Sequence, residues 1–360
     1  MKFLLLSPEL FLADGGIARI MRLYLKALCE ICGSDGRVDS LVLNDLPGRD
    51  PRLARYSTPS LREQVGCQRS KLRFFLQAIR LTRHTDKVVC AHLHLLVIAR
   101  LARIFNPRLE YYLIAHGIEV WRPYTLTERW ALRGARRILC ISEYTRRQIL
   151  RFYPVLSPAA LVVVPNTLDP YLSSVEVPPP SVAVAEGRPR ILTVGRLAST
   201  DIYKGYDTLI EAMPLVLRDF PNARLRVVGG GDDTSRLQSL AAQHGVAAAV
   251  IFTGIISDEA LREEYAACDL FALPSRKEGF GLVFLEAMNF GKPCIGARAG
   301  GAPEVINDAV GQLVEYGNIP DLAAAVADLI RHPRDSEVVR RHAGAFAFPA
   351  FSLLLAAALH

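Results

Sequence analysis

Residues 274–304, PSRKEGFGLVFLEAMNFGKPCIGARAGGAPE, hold two glutamates, Glu278 and Glu286, eight positions apart around Gly279-Phe280-Gly281. Gly281 lets a backbone approach a ligand closely. Beyond it Val283, Phe284, Ala287 and Met288 recur at helical spacing. Glu278 therefore belongs to a loop and Glu286 to the early turns of the helix that follows. A helix start offers free N–H groups and a positive dipole end, which suit a phosphate. The amides of Phe280, Gly281, Leu282 and Val283 are the ones placed to face it. Glu286 suits ribose hydroxyls, because a carboxylate accepts two such hydrogen bonds well. Glu278 suits the hydroxyls of a second sugar at the other end of the ligand. Such a constellation fits a sugar nucleotide, with hydroxyls at both ends and a diphosphate between them.

A nucleotide sugar that gives up its sugar leaves as a nucleoside diphosphate, and some group must stabilise that charge. Arg196, after Gly195 at a predicted strand end, and Lys204, before Gly205 at a predicted helix start, are the candidate cations. No Asp-x-Asp stands at a predicted strand end, and Asp232-Asp233 reads as a helix start, so no metal is expected. The spacer Ala198–Tyr203 is long for such a turn. Gly15-Gly16 opens the first predicted helix and can turn backbone N–H groups toward a phosphate or a sugar hydroxyl. It is not a G-x-G-x-x-G fingerprint, which argues against a dinucleotide. His116-Gly117 follows a predicted strand, at the edge where ligands bind in parallel sheets. Gly254-Ile255 is a candidate base-contacting turn. His92 and His94 alternate on a predicted strand, lack acidic or cysteine partners, and read as structural.

The elements that must position these residues alternate. Strands are expected at 2–6, 38–43, 88–92, 111–115, 137–141 and 161–164, with helices at 16–31, 70–84, 95–104, 125–134 and 143–152. A second series has strands at 190–194, 224–228, 249–253, 269–272 and 293–296, with helices at 205–219, 233–244, 258–267, 282–290, 303–307 and 320–332. Ser257 before Asp258-Glu259 is a helix cap. Alternation of this kind means parallel sheets covered on both faces. The fold class is α/β, with two Rossmann-like doubly wound domains: 1–176, a Pro-rich linker at 177–189, and 190–342. The apolar segment 343–360 is interrupted by Pro349 and Ser352 and reads as a terminal packing helix.

The 360 residues suit two domains, and 51% apolar with 22% charged residues is an ordinary globular composition. Seven cysteines, with one C-x-x-C at Cys29 and Cys32 and no second pair, point to a reducing, cytoplasmic setting. Met1–Leu6 breaks at Ser7-Pro8 and reads as a buried strand rather than a leader. Residues 1–189 hold 27 Lys and Arg against 16 Asp and Glu, whereas 190–360 hold 16 against 20. The basic half suggests an anionic partner. Within it, residues 69–83 form a basic amphipathic helix whose Leu72, Phe75, Leu76 and Ile79 share a face, suited to packing on the sheet or to anionic lipid. A nucleic-acid partner is disfavoured, since no readout element is organised for one.

Taken with Pro274-Ser275, Gly291-Lys292-Pro293 and Gly300-Gly301-Ala302-Pro303-Glu304, these motifs make the chain resemble the family-4 retaining glycosyltransferases, which have the two-domain GT-B architecture. The resemblance covers nearly the whole chain and is strongest over 190–315. It implies an active site in the interdomain cleft, donor binding mainly by the C-terminal domain and acceptor binding by the N-terminal one. It places Gly15-Gly16 over the cleft, His116 on the donor sugar, and Arg196 and Lys204 on the diphosphate in place of a metal. It implies 343–360 crossing back to the first domain. The implied activity is transfer from a UDP- or GDP-linked sugar to a glycan, lipid-linked or lipopolysaccharide-type acceptor, in the cytoplasm or peripherally on the inner face of the cytoplasmic membrane. Two other readings stand beside it: a sugar-nucleotide epimerase or hydrolase of the same architecture, and a non-catalytic binding subunit.

Overall fold

The short apolar runs of the sequence form strands buried on both faces, as a parallel sheet clad by helices requires. The computed structural model describes residues 1–12, 15–173 and 188–360. They divide into two units, Met1–Asp169 with Phe348–His360, and Pro170–Ala347. Residues 177–187 of the expected linker lie outside the described residues.

The first unit contains β1 (Lys2–Ser7), β2 (Arg37–Val42), β3 (Leu61–Gly66), β4 (Lys87–Cys90), β5 (Glu110–Ala115), β6 (Arg137–Cys140) and β7 (Leu161–Val163). All pair in parallel, in the order β3-β2-β1-β4-β5-β6-β7. The order reverses between β1 and β4, so the loops leaving those strands diverge at the carboxyl edge and open a crevice there. On one face Leu4, Leu6, Val88, Cys90, Tyr111 and Leu113 pack beneath the helices Lys71–Thr82, Leu93–Ala102 and Leu126–Arg133. Those three helices lie side by side. The helix Gly16–Cys32 packs on β1 and on the terminal helix Phe348–Leu359, where Tyr24 meets Phe351 edge-on at 4.9 Å.

The second unit contains β8 (Arg190–Val194), β9 (Arg224–Val228), β10 (Val250–Gly254), β11 (Leu270–Leu273), β12 (Cys294–Ala297) and β13 (Gly311–Val314). Their order is β10-β9-β8-β11-β12-β13, again parallel throughout, with the reversal between β8 and β11.

Several expectations need correction. Two edge strands, β3 and β13, were not anticipated. Their sequences, LREQVG and GQLV, carry few apolar residues because an edge strand is only partly covered. The helix Ser336–Gly344 was not anticipated either. His92 and His94 are not on a strand. His92 caps the helix Leu93–Ala102, its Nδ1 accepting the His94 amide at 3.3 Å, and the two rings stack at 4.9 Å. In the helix Lys71–Thr82 the residues packed on the sheet are Phe74, Ala78 and Leu81. Leu72 and Leu76, placed on the apolar face by the sequence, are 71% and 59% exposed, with Phe75 and Ile79 half-buried.

Segment Ser336–Leu359, mean hydropathy 1.7, is long and apolar enough to cross a membrane by length and composition. It folds as two helices broken at 345–347. Val339 and Ala343 are buried in the first, and Phe348, Phe351, Leu355 and Leu359 in the second. The last carbonyls of the second helix are satisfied by cations and a phenol of the first unit. Arg137 donates to Ala357 and Ala358 at 3.0 and 2.9 Å, Tyr112 to Leu359 at 3.1 Å, and Lys87 also to Leu359. Cations suit the negative end of a helix dipole.

Candidate functional site

In the second unit the sequence-derived candidates gather at the carboxyl edge of the sheet, around the reversal between β8 and β11. β8 is followed by Gly195, φ +156°. A Cβ there would lie 2.6 Å from the Tyr206 hydroxyl and 3.3 Å from Lys204 Nζ, so glycine leaves room for both to fold over the strand end. The spacer after Arg196 is a kinked 3-10 helix, Ser199–Lys204, which returns Lys204 to the strand it left. Among the described residues Lys204 has no carboxylate within ion-pair distance, while Glu278 lies close enough to feel its charge.

Arg196 is not free. Its Nε and Nη2 donate to Asp201 Oδ2 at 3.0 and 2.8 Å. Arg196 is 68% exposed and Asp201 6%, so a buried carboxylate anchors a guanidinium whose outer edge stays open.

Glu278 sits in the loop between β11 and the helix Leu282–Asn289. Burial raises its carboxyl pKa, opposed by Lys204 and by hydrogen bonds from the Gly279 and Phe280 amides. The motif Gly300-Gly301 explains how this loop is held. Gly301 N–H donates to the Glu278 carbonyl at 2.8 Å, and a Cβ on Gly300, φ +62°, would lie 2.4 Å from that same oxygen. Arg276 and Lys277 stack over Tyr316 and Tyr203 instead of pairing with Glu278.

Leu282 begins the helix and Gly281 precedes it as its cap residue, so Phe280, Gly281, Leu282 and Val283 present their amides around the helix start. Glu286, in the second turn, is buried and accepts a hydrogen bond from Tyr265 at 2.8 Å. Gly254 adopts φ +72°, and Ile255 beyond it is 87% exposed, an apolar side chain resting beside Gly230 at the sheet edge. Asp232 accepts from Ser199 N–H and Oγ at 2.9 and 2.7 Å, and Asp233 accepts from Arg236 at 2.6 and 2.7 Å.

Three hydroxyls at this edge, Thr193 Oγ1, Tyr206 Oη and Ser275 Oγ, are buried with no hydrogen-bond partner. Buried polar groups are nearly always satisfied, so such a cluster calls for an explanation. Burial, and next the charge of Glu278, push the Tyr206 hydroxyl pKa up.

In the first unit, His116 stands at the end of β5. It is buried, and its Nε2 has no partner. Burial, helped by nearby His92, pushes its pKa down to about 3, so the ring is neutral at physiological pH. Glu119 accepts the His116 amide at 2.5 Å and fixes the turn. Gly15 caps the helix Gly16–Cys32, and a Cβ on Gly15 or Gly16 would meet nothing within 4 Å. The interior of the unit therefore does not demand glycine at either position.

Sequence reasoning missed Asp201, Tyr206, Tyr265, Ser275 and Glu119. Asp201 carried a signal, an acid five residues after the candidate arginine. Glu119 carried a similar signal, three residues after the candidate histidine, whereas Tyr265 acts through a contact between distant segments, which spacing does not encode.

Two family models match the chain: Glycosyltransferase Family 4 over residues 32–171 and Glycosyl transferases group 1 over 177–344. The chain is 34% identical over 239 residues to a GDP-mannose-dependent alpha-(1-6)-phosphatidylinositol monomannoside mannosyltransferase of Mycolicibacterium smegmatis, covering 61% of this chain and 60% of that protein. It is 35% identical over 240 residues to a D-inositol 3-phosphate glycosyltransferase of Geodermatophilus obscurus, covering 63% of this chain and 53% of that one. The match thus spans about three fifths or less of the length of such relatives. The crystal structure of Anabaena HepE in complex with UDP superposes with a TM-score of 0.77 at 21% identity, covering 100% of this chain and 99% of HepE, a likeness of fold.

Proposed function

Because the chain belongs to the family-4 glycosyltransferases, we propose that it moves a sugar, with retention and without a metal, from a nucleoside-diphosphate sugar to a hydroxyl of a lipid-linked or glycan acceptor. The observation that carries this reading is the gathering of Lys204, Tyr206, Glu278 and the unpartnered hydroxyls of Thr193 and Ser275 at one sheet reversal. A diphosphate and a sugar supply what those groups lack, namely acceptors for the cation and hydroxyls, and donors for the carboxylate.

In this account Lys204, the open edge of Arg196 and the amides around Gly281 hold the diphosphate. As the bond to the anomeric carbon breaks, the pair of electrons goes to the leaving phosphate oxygen, and these donors stabilise the charge. That oxygen then takes the proton of the acceptor hydroxyl as the new bond forms on the same face. Glu278 orients the transferred sugar, Glu286 the ribose, and Ile255 lies under the base. In the first unit, the neutral His116 and the bare Gly15-Gly16 turn are the groups offered to a ligand. The mannosyltransferase relative is named for GDP-mannose, which favours GDP among the UDP- and GDP-linked donors expected from the sequence.

Lipid-linked acceptors are favoured by the outward face of the helix Lys71–Thr82. Leu72 and Leu76 project from it among the exposed Lys71, Arg73, Arg80 and Arg83. Such a face suits anionic lipid, where each basic residue contributes ~1 kcal/mol near the surface. The protein then works peripherally on the cytoplasmic side of the membrane, which the seven free cysteines support.

The test is product analysis with a purified donor series. Sugar transfer only when acceptor is present, with the anomeric configuration kept, supports the reading. Rearranged or hydrolysed donor at the same rate without acceptor gives the site to an epimerase or hydrolase.

A further inference from the structure

Away from the strand ends that carry His116, the helices Leu93–Ala102 and Leu126–Arg133 enclose an open pocket of about 290 Å³. Its lining is Arg100, Leu126, Arg129, Trp130, Arg133 and Gly134. Both helices run antiparallel to the strands. Arg100, Arg133 and Gly134 therefore lie toward the amino edge of the sheet, where the Tyr111 hydroxyl of β5 donates to Ala131 at 2.7 Å.

Three features mark this pocket as built for an anion. Its three arginines have no carboxylate partner among the described residues. The one acid on the helix Leu126–Arg133, Glu128, is held by Arg122 at 2.6 and 3.1 Å. The arginines are held by rings instead: Arg100 lies 4.9 Å from the Trp130 centroid, and Arg129 and Arg133 each lie 5.8 Å from that of Tyr153. Buried Arg100 Nε also has no hydrogen-bond acceptor. Like charges crowded together without a counter-ion repel one another, and a phosphate accepting forked hydrogen bonds relieves this.

The same pocket has an apolar lip. Leu126 is 82% exposed and Trp130 41%. Arginine beside exposed tryptophan and leucine is the composition of a protein surface at the headgroup level of a bilayer. We propose that this pocket binds the phosphate of an anionic phospholipid headgroup, with Trp130 and Leu126 entering the headgroup–acyl boundary. It lies on the side of the unit that also carries the helix Lys71–Thr82. Its choice of occupant rests on the membrane reading of that helix; the anion site itself does not.

The chain has two tryptophans, so Trp121→Phe leaves Trp130 as a single reporter. Its emission is followed on addition of three vesicles: phosphatidylglycerol, phosphatidylcholine, and phosphatidylcholine doped with oleate to equal charge. The expected result is a blue shift with phosphatidylglycerol and about tenfold weaker binding to oleate vesicles, since the phosphatidylcholine phosphate carries its own choline cation and only phosphatidylglycerol offers an uncompensated phosphate monoanion to forked donors. Arg100→Gln/Arg129→Gln/Arg133→Gln removes that preference. Arg129→Gln/Arg133→Gln, both at exposed positions, gives the same direction should Arg100 be needed for folding. Leu72→Ser/Leu76→Ser weakens all vesicle binding but keeps the ratio, which separates failure of the pocket from failure of the docking helix. No donor or turnover is involved, so the outcome is also independent of the transferase reading. Equal binding to phosphatidylglycerol and oleate vesicles, an unshifted Trp130 on bound vesicles, or a shift saturated by soluble glycerol phosphate alone would overturn the proposal.

Discussion

The two units share a strand order up to their sixth strand, and their reversal points lie between corresponding strands, β1 and β4 in one, β8 and β11 in the other. The chemistry at the two points differs. The second unit presents side chains already fixed by internal partners: Arg196 on Asp201, Glu286 on Tyr265, the Glu278 loop on Gly301. The first unit presents mostly backbone, an open Gly15-Gly16 turn after β1 and, one strand beyond the reversal, a His116 turn held by Glu119, with the neutral imidazoles of His92 and His116. The same topology supplies a crevice in each unit, and the residues at the strand ends decide what each can bind. Cations and carboxylates that meet a fixed diphosphate and sugar gain from rigid positioning.

The sharpest way to break this comparison is Lys204→Ala, which removes a cation that folds over the end of β8 and, among the described residues, has no carboxylate at ion-pair distance. Turnover is expected to fall about 10²–10³-fold, the usual loss for one donor to a developing anion, while the melting temperature barely moves. An active, folded variant would remove Lys204 from the chemistry. Next in size is Glu286→Gln, which should raise the donor KM about tenfold by weakening a charge-assisted hydrogen bond, with a smaller change in kcat. An effect on kcat alone would move Glu286 away from the ribose.

The first unit is tested through its histidines. His116 is held down to about 3 and His92 to about 4, both chiefly by burial. In the unfolded chain both titrate near the ordinary value of about 6.5. As pH falls below that value the unfolded state takes up protons that the folded state refuses, so stability is full above about pH 6.5 and declines toward pH 4. Denaturant titrations at pH 5 and pH 7 should show this loss, and His116→Asn should reduce it. A variant with an unchanged pH dependence would mean that His116 is solvated. The smallest expected effect is Leu72→Ser/Leu76→Ser, which should alter stability by no more than about 0.5 kcal/mol, because both side chains are exposed. Vesicle co-sedimentation should fall markedly in that variant, and a large drop in melting temperature would show that the face is a packing surface.

Much of the fold was legible because strands of a doubly covered sheet are nearly continuous apolar runs, as in KFLLLS and LFAL. Edge strands β3 and β13 were not, since half-covered strands carry no such run. For the helix Lys71–Thr82 the pattern pointed to the face of Leu72, Phe75, Leu76 and Ile79, whereas Phe74, Ala78 and Leu81 are the residues that pack, a choice set by the neighbouring strands. At the site, residue types and order were readable around Glu278, Glu286, Arg196 and Lys204. Their partners were not, because Tyr265 meets Glu286 and Gly301 meets Glu278 through tertiary folding. The three-arginine pocket was invisible for the same reason, Arg100 lying some thirty residues before Arg129 and Arg133.

The most direct measurement is the shift in melting temperature produced by UDP, GDP and ADP and their sugar conjugates, with and without EDTA, on the native chain and on Lys204→Ala. The account predicts stabilisation by one nucleotide family, unchanged by EDTA and much reduced in Lys204→Ala. Stabilisation by none of them, or one that EDTA abolishes, would contradict it.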